Sequence, residues 1–229
     1  KGAPSPLAAP ARAALADALC TAALALHHSC QCGSGQDEVA LYRQCGALLR
    51  RACDIWDGLL APPGSLAVLS TRLALCQALA GEASAEETLQ LERIAEGGLK
   101  ARGGGRDGAA AALLRAATAA LEALLPDIER SLGAAHPLAS QAALALGGVL
   151  LRGRDAAAAL AHVRRAFDTR ASTLGALHED TCKAALWLSG VLGEVQGAAA
   201  ALAPFVRVLR SLVSPRGEGN SSVAVDAAA

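Results

Sequence analysis

The sequence predicts an all-α protein made of stacked antiparallel helical hairpins. Ala and Leu supply 57 and 38 of the 229 residues, and both lose little on entering a helix. Val, Ile and Thr are sparse and aromatics make up 2%, too few for a β-sandwich or a large parallel sheet. Apolar stretches of helical length alternate with short Gly- and Pro-containing breaks, the pattern of helices paired through tight connections.

Residues 1–10 carry three Pro and no periodicity, so a linker is expected there. Helical hairpins should fill 11–102. The first helix is expected over 11–26, ending in a loop that begins at His27-His28-Ser29-Cys30-Gln31-Cys32 and contains Gly33 and Gly35. The second spans 37–60 and is stopped by Pro62-Pro63-Gly64. Ser65 suits the N-cap of a third, ending near Gly81. Ser84-Ala85-Glu86-Glu87 has the form of a capping box opening a fourth, which runs to about Lys100. A Gly-rich linker at 103–108 follows, then helices over 109–131, 138–152, 155–173, 180–193 and 198–213. The polar segment 214–229 reads as a disordered tail.

The stretch 109–213 contains an internal repeat with a period of 42. Leu132-Gly133-Ala134-Ala135-His136 recurs as Leu174-Gly175-Ala176-Leu177-His178. The same displacement carries Leu144, Leu146, Gly148, Val149 and Leu150 onto Leu186, Leu188, Gly190, Val191 and Leu192. Two helices per period define a helix–turn–helix unit that must stack on a neighbour to bury its apolar stripe.

Those residues carry a resemblance. Leu-Gly-x-x-His-Pro at 132–137, the Leu-rich helix, the Gly153-Arg154-Asp155 turn and an Ala-rich second helix are similar to the long tetratricopeptide repeats of kinesin light chains. His136-Pro137, Leu144 to Leu151, Gly153, Ala166-Phe167-Asp168 and Gly175-Ala176-Leu177-His178 resemble more closely the C-terminal helical domain of SET- and MYND-domain lysine methyltransferases. The resemblance covers about 107–213. It implies a tetratricopeptide-like superhelix. It also implies one of two roles: a non-catalytic interaction module, or the regulatory C-terminal domain of a protein-lysine methyltransferase whose catalytic domain lies outside this chain. His27-His28-Ser29-Cys30 is similar to the cofactor-binding Asn-His-Ser-Cys of such enzymes, with His in the Asn position. It follows an Ala-rich helix rather than strands, and Tyr42 is not in a matching context, so no catalytic residue is expected here.

Equal numbers of acidic and basic residues, 21 of each, exclude a generally basic nucleic-acid binder. With no Met and a start at Lys1, the chain reads as a processed product or a fragment. No charged segment followed by an apolar one opens it, so no signal peptide is expected. The longest uncharged stretch, 131–151, holds His136, Pro137 and Gly147-Gly148, and no membrane span is expected from it. Seven Cys, an odd number with Cys20, Cys45, Cys53, Cys76 and Cys182 among apolar residues, predict free thiols in a reducing compartment, the cytoplasm first and the nucleus second. Asn220-Ser221-Ser222 matches a glycosylation acceptor, but sits in the polar tail and reads as chance.

The metal-ligand candidates are His27, His28, Cys30 and Cys32. All four fall within six residues, whereas zinc sites normally use two separated ligand pairs, so a polar connecting loop is the expectation and no cofactor is assigned. His136 and His178 occupy equivalent turns and are expected to cap or pack. Gly103-Gly104-Gly105-Arg106 follows no strand and is not expected to cradle phosphate. Glu86, Glu87 and Glu92 read as a solvated face. Arg152, Arg154, Arg164, Arg165 and Arg170 form a local basic cluster suited to an acidic peptide segment. Without interleaved aromatics it does not suit nucleic acid. Lys183 is the one lysine on the first helices of the repeats. The leading expectation is therefore a protein partner, held as a peptide or helix against 138–151 and 180–192, with Arg152, Arg154, Arg164, Arg165 and Lys183 as contacts. Oligomeric state is left open.

Overall fold

A computed structural model describes residues 8–30, 36–97 and 108–213. Among these residues the chain is all-α, with no strand. The elements are α1 (Ala8–Cys30), α2 (Gln36–Gly58), α3 (Leu66–Gly97), α4 (Ala109–Leu132), α5 (Pro137–Arg152), α6 (Ala156–Thr173), α7 (Glu179–Gln196), the single turn α8 (Ala198–Ala201) and α9 (Ala203–Val213). Each packs on the next in chain order, α7 taking both α8 and α9. Beyond immediate neighbours, α1 touches α3 and α3 touches α5.

The core is a series of linked clusters rather than one centre. Ala23, Cys45, Leu49 and Ala78 join α1, α2 and α3. Leu69, Leu73, Leu121, Ile128 and Leu146 are among the residues joining α3, α4 and α5. Val163, Phe167, Ala184, Leu188 and Val191 join α6 to α7. Ala is as frequent as Leu in the largest cluster, so helices approach closely at many points.

The helix expected over 198–213 is broken at Leu202 into α8 and α9, and the bounds of α1 and α3 depart further from the sequence expectation. The first helix begins at Ala8, inside the expected 1–10 linker, and continues to Cys30, so His27, His28 and Cys30 form its last turn. Ala16, Ala23 and Cys30, spaced by seven, are all buried, and that seam holds the helix past Leu26. The departure at α3 is larger. Instead of a break near Gly81 and a new capping box at Ser84, α3 runs unbroken for 32 residues. Gly81 is a contact point: a Cβ there would meet Tyr42 Cε1 at 2.2 Å. Immediately beyond it, Arg43 Nε donates to Glu82 Oε1 at 2.9 Å and Nη2 to Glu86 Oε1. Tyr42 and Arg43 of α2 thus grip the turn of α3 that the sequence marks as a break. The 98–107 and 214–229 segments, with the expected Gly-rich linker and tail, lie outside the described residues apart from Gly108, which precedes α4.

The 42-residue period reappears as local geometry. Gly133 and Gly175 have φ of 93° and 91°, a left-handed region where a Cβ would be strained. Three residues later, His136 and His178 take nearly identical backbone angles and cap the next helix. His136 Nδ1 accepts from the Leu138 N–H and His178 Nδ1 from the Asp180 N–H, both at 3.1 Å.

Candidate binding surface

Helices α5 and α7 follow equivalent turns, and the Trp187 side chain of α7 reaches α5. Gly148 has no side chain, and Trp187 uses the space: its Cζ3 and Cη2 would lie 3.0 Å from a Cβ at 148. The indole therefore lies over α5 while remaining 44% exposed. Lys183 and Glu194 are exposed on the same side of α7, as Gln141 is on α5. Lys183 Nζ pairs with Glu179 Oε1 at 2.6 Å. This pairing lowers the Glu179 carboxyl and raises the Lys183 ammonium relative to their ordinary values. The face is thus one partly exposed indole on a small-residue floor with a nearly neutral surround.

The structure distributes the basic cluster over several elements. Arg152 Nη1 donates to the Ala80 carbonyl at 2.6 Å, tying the end of α5 to α3. Arg165 pairs with Glu129 of α4 at 2.5 Å. Arg170 Nε donates to Ser140 Oγ at 3.1 Å and its Nη1 to the Asp180 carbonyl at 3.0 Å, joining α5, α6 and α7. Burial pulls the Arg170 guanidinium below its ordinary value. Arg154 sits at φ 65° in the α5–α6 turn, and Arg164 is exposed on α6. Among the described residues, neither makes an ion pair.

The metal candidates point apart. His27 is half-buried with its ring edge-on to Tyr42, centroids 5.6 Å apart, and burial together with His28 lowers its pKa. His28 is exposed and Cys30 is buried, burial raising the Cys30 thiol. Cys32 lies outside the described residues. Among those residues no group of three His, Cys, Asp or Glu side chains could hold a metal ion. Burial pushes the Cys45, Cys53 and Cys76 thiols up to about 11, so they remain protonated and poorly nucleophilic at neutral pH. The Nδ1 lone pairs of His136 and His178 are occupied by their capping bonds.

Two helices, Ala9–Cys30 and Ala109–Leu132, are long and apolar enough to cross a membrane by length and composition alone. α4 packs on α3 and α5, whereas the outer side of α1 is largely exposed.

Sequence reasoning missed Trp187, and the signal was available. The 42-residue register places Gly148 and Gly190 in equivalent positions one turn from Trp187 or its counterpart Ala145, and a small residue repeated at one register position marks a place for a neighbour's large side chain. No protein-family model matches the chain, and no curated protein is significantly similar to it.

Proposed function

We propose that this chain is a non-catalytic protein-interaction module of the tetratricopeptide type. Its first helices α5 and α7 hold an apolar peptide or helix of a protein partner. The observation that carries this reading is Trp187, half-exposed on the bare backbone at Gly148 in a chain with only 2% aromatic residues. An indole left partly wet on a small-residue floor is the usual anchor of a binding hot spot. With Arg152 and Arg165 engaged within the chain and Lys183 beside the carboxylate of Glu179 on the surface, apolar contact at Trp187 carries more of the affinity than charge. The free thiols fit a reducing compartment, the cytoplasm before the nucleus.

The test is selection of a random peptide library against the 229-residue chain, followed by titration of enriched peptides. Trp187→Ala should weaken them by about tenfold or more, while Arg154→Glu with Arg164→Glu should change affinity little. Peptides that bind the Trp187 variant as tightly as the parent, or acidic peptides abolished by the Arg changes, would overturn the reading.

A further inference from the structure

The repeat identifies a helix seat that is filled inside the chain and, among the described residues, bare at its C-terminal side. Helix α5 docks on α4 through buried Ala142, Leu146 and Val149, and α7 docks on α6 through buried Ala184, Leu188 and Val191. Both use the spacing Ala-x3-Leu-x2-Val. The seat that α7 fills is the groove between α5 and α6, lined by Leu144, Gly148, Leu160 and Phe167. Shifted by 42, these residues become Leu186, Gly190, Leu202 and Leu209 on α7, the turn after α8, and α9. Phe167 is 1% exposed, whereas Leu209 is 56%, Leu202 61% and Leu186 59% exposed. A Cβ at Gly190 would meet nothing within 4 Å. Among the described residues no helix fills this second groove.

The matching plug is at the other end. Helix α1 stands in the first hairpin where α7 stands in its own, and it carries Ala11, Leu15 and Ala18 at the same spacing, followed by Ala22. All four are exposed, because no earlier hairpin is present among the described residues. Stacked repeats ordinarily end in polar caps, whereas the outer face of α1 and the groove between α7 and α9 are apolar. The charges are compatible: the outer side of α1 carries Asp17, and the groove rim carries Arg210. Arg207 is held by Asp168 and lies over Phe167.

We propose that copies of this chain associate head to tail, with α1 of one copy seated between α7 and α9 of the next. The contact repeats the internal α7-on-α6 packing. It is heterologous, so it propagates into open chains rather than closing as a dimer. The contact involves one helix in one groove, so association is expected to be weak and concentration-dependent beside a standard interface of about 800 Å² per partner.

Sedimentation equilibrium of the whole chain tests this. The average mass should rise above the 22.9 kDa of one chain as concentration increases over about a hundredfold range in the micromolar region. Leu209→Glu blocks the groove and Ala18→Glu blocks the plug; each variant alone should remain monomeric. Mixed in equal amounts they should form a complex of two chains and no larger species, because one free plug meets one free groove. Both positions are exposed in the monomer, and circular dichroism of each variant checks that it is folded. Three results would overturn the proposal: a parent chain that stays monomeric throughout, an Ala18→Glu variant that self-associates alone, or variants that fail to pair when mixed. Binding of the parent to phosphatidylcholine vesicles, abolished by Ala18→Glu but not by Leu209→Glu, would instead assign α1 to a lipid surface.

Discussion

Replacing Gly81 with Ala separates helix propensity from packing. In an exposed helix interior, Gly→Ala stabilises by about 1 kcal/mol, because Gly loses more backbone entropy on folding. At Gly81 the added methyl would stand 2.2 Å from Tyr42 Cε1, 2.5 Å from Cζ and 2.7 Å from Cδ1. The whole ring edge must retreat, and the ring is also packed edge-on against His27. Overpacking of this kind costs about 1–3 kcal/mol, so Gly81→Ala should lower stability by about 1 kcal/mol net. Gly190→Ala is the control: open space on α7 leaves the propensity gain of about 1 kcal/mol unopposed. Urea denaturation followed by far-UV circular dichroism, at a concentration low enough to keep the chain monomeric, measures both. The two variants should move the midpoint in opposite directions. If Gly81→Ala matches or exceeds the parent in stability, the Tyr42 ring does not rest on α3 at Gly81, and the packing argument for that contact fails.

Three further outcomes follow from the same geometry. His136→Ala and His178→Ala each remove a helix cap and should cost about 1 kcal/mol, with Asn restoring most of it; thermal unfolding of the single and Asn variants checks this. Arg43→Met strands the largely buried Glu82 carboxylate, whose side chain is 11% exposed. Because the arginine itself is solvated, the loss should be about 1–2 kcal/mol, and adding Glu82→Met should recover part of it in a double-mutant cycle. His27 and His162 have pKa values lowered from 6.5, chiefly by burial. Below 6.5 the unfolded chain therefore binds more protons than the folded one, so stability falls as pH drops through 6.5 toward the lowered values. His27→Gln should flatten, without abolishing, the slope of denaturation midpoint against pH in that window.

Much of the helical content was legible because it depends on local terms. Ala and Leu content, Pro62-Pro63-Gly64 and the Gly-x-x-His turns act over a few residues, and the same spacing that reveals the repeat yields equivalent caps at His136 and His178. The errors fall where a distant residue outweighs a local signal. Gly81 and Ser84 have the chemistry of a helix end and a helix start, but Tyr42 and Arg43, some forty residues earlier, turn them into the middle of α3. His27 and His28 look like loop residues until Ala16, Ala23 and Cys30 align on one buried seam.

The basic cluster shows the same division between short- and long-range effects. Five arginines close in sequence suggest one patch, yet Arg152 reaches Ala80, Arg165 reaches Glu129 and Arg170 reaches Ser140 and Asp180. Composition and periodicity by themselves determined that the chain is helical, where most of its turns lie, and that 132–150 recurs at 174–192, because backbone entropy, capping and turn sterics are short-ranged. Only the tertiary structure decided which glycines are breaks and which are contacts, which cations are already engaged, and which apolar residues stay wet. Burial and pairing depend on what another helix brings within a few ångströms, and sequence distance does not encode that.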